Sequence, residues 1–296
     1  MYIKCLLLVL LLLILLYSKN ILSYLNTQVY TMKNKTLKII VFDLDETLGY
    51  FTEVSMFWDA LEHYYGTNLL PEKFIEMLDI FPEFLRPDIL KVLKFIHGRN
   101  SPNHKNKILI YTNNQGPKSW VRMISAYMEK KLGYKVFDQI IAAYKVNGKT
   151  IEPNRTSHEK SLTDLIRCTQ LPASADICFI DDLYHPLMDT DNVYYINIKP
   201  YRFSMPYDEM AMRYYDLILR KRSGAIPDRN EFVKTITTFM KQYNYMVLNK
   251  SPAETKTDKI VSMKLFSHLE EFLKRDRNMI THKKRIRRAK TMRRGK

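Results

Sequence analysis

Two aspartates one residue apart, Asp43 and Asp45, with Thr47 two residues further on, form the stretch DLDET directly after the apolar run 37–42 (LKIIVF). Further along, Thr112 and Asn113 follow ILIY at 108–111, and Asp181 and Asp182 follow ICFI at 177–180. Lys160 stands at the start of the helix-like stretch that leads into this last run. Carboxylates crowded at the ends of buried strands are costly unless a cation shares the site. Mg2+ suits such a set, because it prefers hard oxygen ligands. The chemistry these residue types point to is that of a divalent cation held among aspartates, with a hydroxyl, an amide and a lysine close by.

Residues so far apart in the chain meet only if the elements before them lie side by side. Strands are expected at 37–42, 107–112, 139–143, 177–180 and 193–198, each short and nearly continuous in hydrophobicity, as strands covered on both faces are. Helices are expected between them at 87–96, with Gly98 past the end, at 117–132 and at 161–168. This alternation predicts an α/β fold, a parallel sheet flanked by helices, whose site lies at the carboxyl ends of the strands. Between residues 48 and 86 there is room for a short flap and one or two helices, such as 56–65. Between 116 and 160 there is one helix, one strand and a turn at Asn147 and Gly148, so the site is expected to be open. Beyond Pro200 the pattern turns helical, with helices expected at 207–222, 228–243 and 261–273. The stripe Phe232, Ile236, Phe239, Met240 and Tyr243 reads as core packing, and KSPAETKTD at 250–258 reads as a linker.

Composition bounds the rest. With 296 residues, 46% of them hydrophobic, the chain can bury a full core, which excludes wholesale disorder. Three cysteines, Cys5, Cys168 and Cys178, give no disulfide framework; the last two read as buried residues in a reducing compartment. The net charge is +16, but 283–296 holds nine Lys or Arg and no acid, so the rest carries +7. That run reads either as a solvated terminus or as a contact for nucleic acid, acidic lipid or an acidic protein. The apolar segment 5–22 is read as a membrane anchor with the domain on the cytoplasmic side; a signal-peptide core and a leader upstream of Met32 are the other readings. Without an anchor the protein is expected to be cytoplasmic or nuclear. The organisation expected is an N-terminal apolar segment (1–31), an α/β domain (35–200), a helical extension (201–280) and a basic tail (281–296).

In order and in place, DLDET, Thr112–Asn113, Lys160 and Asp181–Asp182 resemble the four motifs of the haloacid dehalogenase (HAD) superfamily of phosphotransferases, over residues 37 to about 200. The resemblance implies an HAD-like (Rossmann-like) sheet and an Mg2+-dependent phosphatase without a cap domain. It implies that Asp43 is a nucleophile forming an aspartyl-phosphate, and that Asp45 protonates the leaving oxygen and then activates water. Thr112 and Asn113 would hold the phosphoryl group, and Lys160 would neutralise charge. Asp43, Asp181 and Asp182, with the backbone carbonyl of Asp45, would hold the metal. Lys118 and Lys145 are rivals for the lysine role. His158 and His185 are read as structural or solvent-facing, and Thr47 as support within its own turn.

DLDETL, with FLRPDIL at 84–90, also resembles phosphatases of the RNA-polymerase C-terminal-domain type and their small relatives. Those continue with Val-His where this chain has Gly49-Tyr50, have Arg-Pro-Gly where it has Arg86-Pro87-Asp88, and have Asp-Asn where it has Asp181-Asp182. Capless proteins of this kind encoded by large DNA viruses are similar as well. The expected substrate is a phosphoserine or phosphothreonine of a protein. A polynucleotide 3′-phosphate held with the help of the basic tail is the alternative. A membrane-anchored binding module of the same fold, like the mitochondrial inner-membrane translocase receptor that this architecture resembles, is the non-enzymatic one.

Overall fold

The computed structural model describes residues 17, 37–100, 106–116, 118–172, 174–221 and 226–275. The readings of 5–22 and 283–296 fall outside these, Tyr17 apart. Among the described residues no helix is long and apolar enough to cross a membrane.

Five parallel strands form one sheet: β1 (Lys38–Phe42), β2 (Lys107–Tyr111), β3 (Gln139–Ile141), β6 (Asp176–Asp181) and β7 (Val193–Asn197). Their order across the sheet is β3-β2-β1-β6-β7. The chain builds outward from β1 in one direction and returns to build the other half, so a crevice opens at the carboxyl end of β1. A two-stranded hairpin, β4 (Lys145–Val146) and β5 (Lys149–Thr150), turns through Asn147 and Gly148, both at positive φ.

Alternate strand residues serve two different cores, as a period of two requires. Ile40, Phe42, Ile108, Ile110, Cys178 and Ile180 face the larger one. It also takes in α1 (Thr52–Tyr65), α2 (Pro71–Asp79), α3 (Ile89–Gly98), α4 (Lys118–Leu132), α6 (Tyr207–Leu217), α7 (Arg229–Lys241) and α8 (Pro252–Lys274). Ile39, Val41, Leu109, Tyr111, Ile177 and Phe179 face the smaller one, covered by α5 (Leu162–Thr169). Each such side chain, fully buried, contributes about 1.5–3 kcal/mol.

The helical extension is packed onto the sheet's larger core, not strung beside it. Phe232, Ile236 and Met240 of α7 are buried there, whereas Phe239 is partly buried and Tyr243 is exposed. The stretch 250–258 is not a linker. Ser251 caps α8, its hydroxyl accepting from the Glu254 N–H while the Glu254 carboxylate accepts from the Ser251 N–H. Pro252 takes the first helical position, where its missing N–H costs nothing. Helix α3 begins at Ile89 instead of Pro87, behind Asp88 in the left-handed region, and Gly98 is its last residue. Helix α6 stops at Leu217 and is followed by a short 3-10 turn, Leu219–Lys221.

Candidate functional site

Strand register brings the acids together. Phe42 is level with Ile180, and the Asp43 N–H donates to the Ile180 carbonyl at 2.9 Å. Asp43 and Asp181 are therefore next to each other across a parallel ladder and share the face that carries Val41 and Phe179. Helix α5 covers that face, and Lys160 lies just before it. The Lys160 ammonium bridges the two acids, in contact with Asp43 and at 2.6 Å from Asp181, and is itself 2% exposed. The rings of Tyr111 and Phe179 lie 5.7 and 5.9 Å from it. Asp43, Asp181 and Asp182 each offer an oxygen, all within 4.8 Å of one another. This buried acidic group could hold a metal ion, and its hard carboxylate donors fit Mg2+.

The loop after β1 is held by groups distant in sequence. Glu46 sits at φ 58°, a strained conformation for a residue with a Cβ. Its carbonyl accepts from the Tyr201 N–H at 2.8 Å and from Arg86 at 2.6 Å, and Arg86 also donates to the Thr47 carbonyl at 2.6 Å. Arg86 is almost fully buried, and desolvation lowers its pKa to about 10. Gly49 closes the loop against the Phe84 carbonyl, where a Cβ would come within 2.6 Å of the oxygen. Thr47 does not serve its own turn: its hydroxyl donates to the Asp182 carboxylate at 3.0 Å and accepts from the Asp182 N–H at 3.2 Å.

The Asp45 side chain is not one of the three carboxylates of that group. Its carboxylate accepts from the Asn114 side chain at 2.7 Å, and Asn114 is fixed in turn by the Gly116 N–H and by the hydroxyl of buried Thr112. The Asn113 amide oxygen accepts from Arg155 at 2.8 Å. Lys145 lies on the hairpin, its ammonium over the Tyr144 ring, and among the described side chains Lys160 is the lysine in contact with the carboxylates; the Lys118 side chain lies outside the described ones.

Burial dominates the electrostatics. It pushes Asp43 up to about 8; Lys160 pulls downward, and Asp181 and Asp45 add to the rise. Burial also raises Asp45, with Asn114 and Lys160 opposing, and brings Asp182 up to about 6. Burial works the same way on Asp181, but the His185 imidazole and the Lys160 ammonium outweigh it and hold that carboxyl low. It works against the Lys160 ammonium too, and there Asp43 and Asp181 prevail and raise it. Lys160 pairs with only two of these acids, and a divalent cation among Asp43, Asp181 and Asp182 would favour their charged forms against burial.

The sequence reading gave no site role to three residues found here. His185 is buried, its Nε2 3.3 Å from Asp181, so of the two readings, structural or solvent-facing, the second is excluded. Asn114 orients Asp45. Arg155, 2% exposed, donates to the carbonyls of Thr112, Ala142 and His158 as well as to Asn113. It ties the ends of β2 and β3 to the approach to Lys160. A lone Arg or His in a loop has no periodicity to mark it; for Asn114, only adjacency to Asn113 was available. No family model matches the chain, and a search of curated proteins finds no match.

Proposed function

We propose that the protein is an Mg2+-dependent phosphomonoester hydrolase of the HAD type, acting through an aspartyl-phosphate on a phosphorylated protein side chain. The observation that carries this reading is the convergence of Asp43, Asp181 and Asp182 within 4.8 Å, with Lys160 joined to the first two. A bound Mg2+ would be held by those three carboxylates and would draw off charge from the phosphoryl oxygens. An oxygen of Asp43 attacks phosphorus, and the bond to the leaving oxygen breaks as Asp45 donates its proton there. Asp45 then takes a proton from water, whose oxygen attacks phosphorus and releases phosphate and the Asp43 carboxylate. A carboxyl raised by burial, as that of Asp45 is, suits the donor role. Lys160 offsets charge on Asp43 and on the transferring group, whose oxygens Thr112 and Asn113 would hold.

The test is turnover of an aryl phosphate with Mg2+ and with EDTA, in wild type and in Asp43→Asn. Turnover that needs Mg2+ and disappears in the variant is expected; full activity in Asp43→Asn removes the nucleophile assignment.

A further inference from the structure

A cavity of about 710 Å3 opens at Asp45, between α1, the start of α2 and the start of α4. Of the four clustered aspartates only Asp45 lines it, at the same end as Asn114. Trp58 and Trp120 line it, both packed edge-on against Phe74 at 5.4 and 5.0 Å. Asp59 and Glu62 line it too, and no Lys or Arg does among the described side chains. Each of these two acids is fixed by one structural hydrogen bond: Asp59 accepts from the Tyr243 hydroxyl at 2.7 Å and Glu62 from the Leu69 N–H at 2.9 Å. Each keeps a second carboxylate oxygen for a ligand. Among the described side chains the charged residues that line it, Asp45, Asp59 and Glu62, are all acidic, in a chain of net charge +16.

We infer that this cavity is the leaving-group subsite, and that it takes a peptide segment carrying Lys or Arg beside the phosphorylated residue. The inference rests on the phosphatase reading, and it follows from where the proton donor stands. The group that donates to the leaving oxygen faces whatever that oxygen is attached to, so the leaving group extends into the space that Asp45 lines. A lysine or arginine side chain there meets two carboxylates in place and indole rings that favour cations. A polynucleotide would instead bring further phosphates against Asp45, Asp59 and Glu62, which repel them.

The experiment compares phosphoserine peptides that differ only in flanking residues, Lys/Arg, Ala or Glu, together with a 3′-phosphorylated oligonucleotide and p-nitrophenyl phosphate. Enzymes are wild type and Asp59→Asn/Glu62→Gln, a pair that keeps both structural hydrogen bonds. We expect kcat/KM to be at least tenfold higher for the basic peptide than for the Ala peptide. The preference should shrink with added salt and vanish in the double variant, which should still turn over p-nitrophenyl phosphate. Equal kcat/KM for all peptides, an undiminished preference in the double variant, or faster turnover of the oligonucleotide overturns the inference. If wild type hydrolyses nothing, including p-nitrophenyl phosphate, the phosphatase reading is what fails. Fluorescence anisotropy of the labelled basic peptide then decides whether the cavity takes a basic segment: weaker binding to the double variant upholds that part, and equal binding overturns it.

Discussion

The side chains that hold the acids matter as much as the acids. Thr47 gives both its donor and its acceptor capacity to Asp182. Thr47→Val keeps the shape but leaves the Asp182 carboxylate free to rotate and its N–H without that acceptor. Outer-shell losses of this kind lower metal affinity by about 10- to 100-fold. Calorimetric titration with Mg2+ should find a drop of that size; unchanged affinity would remove Asp182 from the metal site. Arg155 is the second such residue. Arg155→Lys keeps the charge but cannot reach four acceptors from a planar fork. Since hydrogen bonds to charged groups are worth roughly 1.5–3 kcal/mol each, losing one or two should cost about 3 kcal/mol in a denaturant titration. Aryl-phosphate turnover should fall with it, because Thr112 and Asn113 lose their anchor.

At the scale of elements, α1 carries a buried acid with a cost that depends on pH. Glu53 is fully buried and accepts from the Met205 N–H at 3.0 Å, and burial raises its pKa above 4.5. Folding therefore favours its protonated form. That contribution is complete below the unfolded-state value and is lost as pH rises through the higher folded one. Glu53→Gln removes the titration, so the variant should gain stability relative to wild type as pH climbs, measured by urea unfolding across pH 4 to 8. A constant difference would mean that Glu53 is charged in the folded state as readily as in the unfolded chain. The strands were legible because burial on both faces writes a continuous apolar run, and the carboxyl ends of those runs carry the acids. The start of α8 was not, because a polar, Pro-containing stretch reads as a loop unless Ser251 and Glu254 are recognised as a reciprocal cap.

At the scale of the whole molecule, one sheet both orders the core and collects the chemistry. Parallel register makes Asp43 and Asp181 neighbours, and the crossover through α5 delivers Lys160 to the same face. That much follows from alternation in the sequence, since parallel strands with right-handed crossovers leave few other arrangements. The links between loops do not follow from it. Arg86 reaching from one loop to the carbonyls of Glu46 and Lys199, and His185 meeting Asp181, depend on three-dimensional closure that no local pattern encodes. The most direct measurement is acid quenching during turnover with Mg2+, followed by borohydride reduction, which converts an aspartyl-phosphate to homoserine, and peptide mass spectrometry. Homoserine at position 43, absent without substrate or with EDTA, is the result expected. Steady turnover with an unmodified Asp43, or with the label on another residue, would contradict it.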